Sequence, residues 1–420
     1  MTTRQDCLAL DASDPLADLR EQFVLPAGKI YLDGNSLGVL PRATAGRVAQ
    51  VVQKEWGEDL IESWNSAGWI SLPQRIGDKI ARLVGADAGE LVVADSTSVN
   101  LFKALSAALA IAKADAPGRQ VVLSERGNFP TDLYIADGLA TQHGCELVLT
   151  DSPDEIGGHL ASGRVAVMML TQVDYQSGRL HDMAALTHTA HQQGALALWD
   201  LAHSAGALPV ALKAAGADFA VGCGYKYLNG GPGAPAFVWV HPRYAERFRQ
   251  PLSGWMGHAA PFEFTPAYRP AAGITRYLCG TPALLSMAAL ECGVDSVLAA
   301  EPLGGMAALR TKSLALTDLF IALVEQRCDG HDLSLITPRE HTLRGSQVAL
   351  ARSEGAYAIV QALIARGVVG DFRAPEVLRF GFTPLYTRFV EVWDAVEHLR
   401  QVLTSSEWRE ARFHRKAAVT

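Results

Sequence analysis

Cysteine is scarce: six residues in a chain of 420, at positions 7, 145, 223, 279, 292 and 328, with no C-x-x-C and no short paired spacing. That scatter excludes a disulfide frame and a structural zinc site, and it suits free thiols in a reducing compartment. Long apolar runs are missing too. The longest, Ala104 to Ala112, lies between Lys103 and Lys113, far short of the ~20 residues that a membrane span needs. The start, MTTRQDCLALDASD, has no apolar stretch behind a basic one, so it does not read as a signal peptide. Basic blocks are also lacking, since 37 Lys+Arg stand against 44 Asp+Glu for a net charge of −7. Nucleic acid and anionic membrane, which demand clustered Lys/Arg, are therefore not expected as partners. The basic end Arg409 to Lys416 reads as a solvated helix face. Together these absences point to a soluble cytoplasmic protein.

What the sequence does hold is core. Hydrophobic residues make up 49% and charged ones 19%, which excludes disorder and, at ~100 to 200 residues per domain, gives two or three packed units. From Val92 to Val240 the runs ELVVA, QVVLS, CELVLT, VAVMML, ALALWD, FAVGC and AFVWV alternate with amphipathic stretches such as 99–114, 131–143 and 183–194. Nearly continuous apolar runs of this length are strands buried on both faces. Their rhythm predicts an α/β fold: a mostly parallel sheet covered by helices on both faces, over residues 45–285. The tail reads differently. After helical stretches 283–300 and 306–327 come LSLIT, SQVALAR, a helix over 356–366 and VLRFGF, whose alternation predicts a smaller α+β unit with one wet sheet face. Residues 286–420, with 1–44 packed on them, form this second domain. No repeat and no long linker is visible.

In an open parallel sheet, ligands bind beyond the carboxyl ends of the strands. ALALWD ends in Asp200, followed by His203; FAVGC leads into Gly224, Tyr225, Lys226 and LNGGPG. A lone lysine is most often a solvated charge. Between an apolar strand and a glycine-rich turn, however, it would lose part of its preference for charge, and the resulting amine can form a Schiff base with an aldehyde. An acid near a pyridine nitrogen keeps it protonated, as pyridoxal phosphate requires. Asp200 and His203 as metal ligands at i, i+3 is the weaker reading, with no third ligand nearby, and no metal is expected. Asp95, Ser96, Thr97 and Ser98 before a helix from Val99 either cradle a phosphate or simply cap the helix. No G-x-G-x-x-G or G-x-x-x-x-G-K-[ST] pattern supports a dinucleotide or nucleotide. In GNFPTDL, Phe129 is placed to lie on an aromatic cofactor with Asp132 beside it, or the segment is a proline turn with a capping acid. Trp64 and Trp69 in SWNSAGW are core or the wall of an aromatic site. Arg379, among apolar neighbours in VLRFGF, must pair with an internal acid or await a carboxylate, which arginine grips bidentately.

YLDGNSLG, SWNSAGW, NFPTDLY, WDLAHSAGA, GYKYLNGGPG, PLSGWMGH, YLCGTP and LRFGFTPLY, in that order and over almost the whole chain, resemble kynureninase of the bacterial type. The resemblance implies a homodimeric pyridoxal-phosphate enzyme of the aspartate-aminotransferase fold. It would hydrolyse L-kynurenine to anthranilate and L-alanine in tryptophan catabolism, on the kynurenine pathway that feeds NAD biosynthesis. It further implies Lys226 as the cofactor lysine and Asp200 as the partner of the pyridine nitrogen. Phe129 would stack on the ring, within a cofactor-binding segment Phe129, Pro130, Thr131 and Asp132, with Thr171 and His203 nearby. Thr97, Ser98 and Tyr225 would hold the phosphate, joined by Trp255 and Thr281 of a second subunit. Arg379, with Asn35, would take the substrate carboxylate and Trp64 would line the aryl pocket, where animal relatives place a histidine; unsubstituted L-kynurenine is then the preferred substrate. Lys226, Tyr225 and Asp132 are the expected catalytic groups. A cysteine desulfurase or another lyase of the fold is the nearest rival, but its usual Ser-His-Lys and mobile loop cysteine are absent here. A non-catalytic scaffold would not be expected to keep Lys226, Asp200 and Arg379 together.

Overall fold

The seven apolar runs form one sheet. In the computed structural model, which describes residues 2–247 and 250–416, the strands are β1 (Leu91–Ala94), β2 (Val121–Glu125), β3 (Glu146–Thr150), β4 (Val165–Thr171), β5 (Leu196–Asp200), β6 (Phe219–Gly222) and β7 (Ala236–Val240). Their order across the sheet is β1-β7-β6-β5-β4-β2-β3. β7 runs antiparallel to both neighbours, and the other pairings are parallel. Alternate residues of one strand enter opposite cores: Met168, Leu170 and Trp199 on one face, Val167, Met169 and Leu198 on the other. Both faces are covered, which explains why these strands are apolar throughout. Helix α1 (Leu72–Val84) packs on one side and α2 (Thr97–Asp115) on the other. α3 (Pro130–His143) begins on a proline, whose missing N–H costs nothing at the first helical position, and ends at Gly144 with φ +70°.

The C-terminal part builds a second core around α4 (Gly305–Arg327), α5 (Ala356–Ala365) and α6 (Phe389–Ser405). Its antiparallel sheet has the order β10-β11-β9-β8, from β8 (Ser334–Leu335), β9 (Gln347–Ala351), β10 (Asp371–Arg373) and β11 (Val377–Gly381). The expected wet face is not there. Val348, Leu350, Leu378 and Phe380 face the helices, while the alternate residues Gln347 and Arg379 are buried as well. The polar face is turned onto the large sheet's carboxyl edge and not onto water, so alternation here marks a site wall.

The N-terminal segment touches both cores. Arg4 pairs with Asp394 at 2.8 Å, and Asp11 accepts from the free N–H groups of Phe389 and Val390 at the start of α6. Ile30 and Tyr31 pair with Val368 and Val369. Leu16, Leu19 and Phe23, by contrast, join the large core, as do Met287, Leu290 and Val294 of the helix Leu284–Leu298. The basic end is not a helix face. It folds as two short turns that bury Trp408 and Phe413 against the second core. No helix among the described residues is long and apolar enough to cross a membrane.

Candidate active site

Lys226 stands four residues beyond β6, on a loop held by close backbone contacts. Gly38 N–H donates to the Tyr225 carbonyl at 2.8 Å, and a Cβ on Gly38 would meet the Lys226 carbonyl oxygen at 2.4 Å. Only glycine admits that approach. The lysine is half-buried overall, but its amine lies inside, with Nζ 2.8 Å from His203 Nε2. Burial, foremost, lowers its pKa. His203 is held well below the usual histidine range, first by burial and then by the Lys226 charge, so its imidazole is neutral. Its other nitrogen, Nδ1, lies 3.1 Å from Gln347 Oε1.

Asp200, the last residue of β5, accepts from Ala202 N–H at 2.8 Å. Asp132, in the first turn of α3, is buried against it. Burial pushes both carboxyls up, Asp132 the further because it also faces Asp200. Asp132 Oδ2 has no donor among the described residues, so the contact becomes a hydrogen bond only when one acid carries a proton. Both carboxyls are pushed up, so the pair shares a proton, with Asp132 the more strongly raised. A carboxyl held up in this way binds its proton more tightly folded than unfolded; it stabilises the fold below the ordinary carboxylate range and loses that contribution as pH rises through its folded value. Asp132→Asn should therefore raise the melting temperature of the cofactor-free protein at pH 8 more than at pH 5. An equal change at both pH values would take the proton off Asp132.

Thr171 closes β4 and donates to Asn128 Oδ1 at 2.5 Å; the same oxygen accepts from Phe129 N–H at 2.6 Å. The Phe129 ring stands edge-on to Tyr175 at 5.3 Å and is 44% exposed, leaving a bare aromatic face. Pro130 and Thr131 form the first turn of α3 beside it.

A cavity of about 510 Å³ opens next to Tyr225, walled by Asp95, Ser96, Thr97, Gly233 and Thr281. The helix begins at Thr97, two residues earlier than expected, and Ser96 caps it by accepting from Val99 N–H at 3.3 Å. Capping falls to Ser96, which leaves the Thr97 hydroxyl spare at the positive end of a helix of 19 residues. Ser98 is not part of that wall. The Tyr225 ring centre lies 5.8 Å from Lys226 Nζ, and burial pushes its phenol up.

Arg379 does not present an open fork. Its Nε donates to Asp371 Oδ1 at 2.9 Å, and Nη2 reaches Asp371 Oδ2 and Ser36 Oγ. Nη1 donates to the Tyr175 carbonyl. Four of its five N–H groups are taken, so the bidentate grip expected for a substrate carboxylate belongs to Asp371, and one N–H remains on Nη1. Arg373 shares Asp371, and Asp33 lies beside the cluster, pushed up to about 7 by burial and by Asp371. Asn35 is fully buried, donates to Gln347 Oε1 at 3.4 Å and keeps an unpartnered carbonyl oxygen. Trp64 and Trp255 stand apart from this group. They contact each other at 5.8 Å, and Trp64 meets Trp69 at 6.2 Å, with Trp64 and Trp255 packed against the core that holds Tyr277 and Leu278.

A buried amine, two adjacent acids, a bare aromatic face and a helix start with a spare hydroxyl meet at one sheet edge. Residues 309–399 match the kynureninase C-terminal domain and residues 66–344 match aminotransferase class-V. A kynureninase from Pseudomonas fluorescens is 57% identical over 422 aligned residues, which cover 100% of both chains. The chain belongs to the kynureninase family. Among solved structures, a cysteine desulfurase from Thermococcus onnurineus NA1 is similar at a TM-score of 0.77 and 17% identity, covering 92% of this chain and 98% of its own. A C-DES variant with glycine covalently linked to its pyridoxal-phosphate cofactor has a TM-score of 0.77 at 15% identity, covering 91% and 98%. At such identities the desulfurase rival shares the fold alone. Kynureninase membership carries pyridoxal phosphate with it, and the residues fit that group. Asp371, Ser36, Tyr175, Asn128 and Gln347 were missed in the sequence; of these, Ser36 and Asn128 lay inside recognisable motifs, YLDGNSLG and NFPTDLY.

Proposed function

We propose that this chain hydrolyses L-kynurenine to anthranilate and L-alanine, with pyridoxal phosphate bound between Lys226, Asp200 and the Thr97 helix start. The observation that carries the reading is the inward Lys226 amine facing Asp200 and Asp132 in a chain of this family. When bound, the cofactor supplies an electron sink for the α-carbon of the amino acid. Lys226 would be the residue that holds it, and its amine, once free, would move the proton of the substrate α-carbon. Asp200, with Asp132 beside it, would keep the pyridine nitrogen charged; Thr171 and His203 would lie near the ring, and Phe129, Pro130 and Thr131 would pack against it. Thr97 and Tyr225 would hold the phosphate, with Ser98 next to Thr97 in the first turn of the helix but outside the cavity wall, and the phenol of Tyr225 returns a proton to the alanyl fragment. The remaining Nη1–H of Arg379 and the free carbonyl of Asn35 flank the amino-acid end of the substrate. One water is consumed, the Cβ–Cγ bond breaks, and both products leave.

The same reading makes the protein a cytoplasmic homodimer. Ile61 is 76% and Phe264 78% exposed, with Trp56, Leu60 and Phe262 also bare, an amount of apolar surface that favours a second copy. Trp64 packs on Trp255, so a partner that delivers Trp255 delivers Trp64 with it, whereas Thr281, expected from a second subunit, already stands in the cavity wall of its own chain. Two units, 45–285 and 1–44 with 286–420, remain the proposed division; the second core favours a separate C-terminal unit, while Leu16, Leu19, Phe23 and the helix Leu284–Leu298 pack with the large sheet and blur both bounds. The test is anthranilate fluorescence on adding L-kynurenine, with and without pyridoxal phosphate. With Trp64 at the aryl pocket, kcat/KM for L-kynurenine should exceed that for 3-hydroxykynurenine. A clear preference for the hydroxylated substrate would remove Trp64 from that role, and no anthranilate from either would sink the reading.

A further inference from the structure

Gln347, on the inward face of β9, uses all of its amide. Nε2 donates to the carbonyls of Asp174 at 3.3 Å and Tyr175 at 3.0 Å. Two carbonyl acceptors on that side fix the orientation of the amide, because the flipped form would set oxygen against oxygen. Oε1 therefore faces His203 Nδ1 at 3.1 Å and the Asn35 amide at 3.4 Å. A nitrogen this close to a committed acceptor must carry the hydrogen. His203 is buried and neutral, so it has a single N–H to place. We infer that Gln347 is a positioning residue that holds His203 in the Nδ1–H tautomer, so that Nε2 accepts from the Lys226 amine 2.8 Å away.

The direction of that last hydrogen bond matters chemically. With Nε2 as acceptor, Lys226 spends an N–H on His203 and keeps its lone pair free for attack on a carbonyl carbon. With the opposite tautomer, the imidazole would donate to the amine and occupy the lone pair that must react. An outer contact of this kind sets ligand orientation at metal sites by the same logic, where its loss costs about 10- to 100-fold. Gln347 comes from the C-terminal sheet and His203 from the large one, so the tautomer is imposed from across the cleft.

The inference takes Lys226 as the reactive amine of the proposed site, but its test does not require kynurenine. In cofactor-free protein labelled with 15N-histidine, with the His203 signals assigned by their loss in His203→Asn, the two ring nitrogens should show a protonated Nδ1 and a bare Nε2 at pH 7. Gln347→Met, similar in size and without the acceptor, should collapse that pattern to a mixture or to Nε2–H. It should also slow uptake of added pyridoxal phosphate about 10-fold, while Gln347→Glu, which retains an acceptor oxygen, keeps Nδ1 protonated. An Nε2–H tautomer in the unmodified protein would overturn the inference whether or not the variants fold, and so would an unchanged pattern in Gln347→Met. Loss of anthranilate production with the tautomer intact would count against the substrate and leave the positioning role standing.

Discussion

Lys226→Ala should lower anthranilate release by about 10⁴-fold, the upper end of what one positioned proton-transfer group contributes, and the protein should no longer show the near-visible absorbance of a covalently held cofactor. Both effects follow from one atom, because in the proposed mechanism Nζ is at once the attachment point and the base. The fold should survive. Lys226 leans on a neutral His203 and also faces Asp200, whose carboxyl its charge holds down; without it that carboxyl rises further and takes up a proton, so truncation strands no fixed charge, and removing an amine drawn out of water relieves a cost. The melting temperature should hold or rise while turnover collapses. Anthranilate released at the normal rate by Lys226→Ala would end the assignment.

Arg379→Met should act on stability and substrate together. Arg379 and Asp371 are 1% and 2% exposed, and deleting one partner of a buried pair costs about 3–5 kcal/mol because the other charge is left behind. Arg373 still reaches Asp371, which places the expected loss at the lower end. KM for kynurenine should rise by about 10²-fold, as for a lost charged contact of ~2–5 kcal/mol, with kcat less affected. The double variant Arg379→Met/Asp371→Leu should recover stability in urea unfolding and not recover KM. If the single variant melts normally, the ion pair is not structural; if KM is unchanged, the carboxylate binds elsewhere.

The large sheet was legible because its signal is local: each strand announces itself by a short apolar run, and the rule that ligands gather at strand carboxyl ends then picks out Asp200 and Lys226. The phosphate end was half legible, since a hydroxyl-rich helix start reads the same whether it caps or binds; only the placement of Ser96 as cap frees Thr97. The rest is non-local. Asp371 meets Arg379 through antiparallel register, across a turn that gives no sign of it. Tyr175 contributes a backbone carbonyl, which carries no side-chain signature at all. The alternation of β9 and β11 was read correctly as two-faced and wrongly as wet, because periodicity says that a strand has a polar side and not what lies against it.

The buried polar face of the C-terminal sheet also bears on how such proteins can be recombined. The Tyr175 carbonyl accepts from both Gln347 and Arg379, so residues 171–176 of the large sheet and strands β9 to β11 are matched to each other like two halves of a mould. A chimera that exchanged the C-terminal part with a desulfurase of the same fold would preserve both cores and still mismatch this wall. The heritable module is the seam with the loop it meets, and not the domain that contains it.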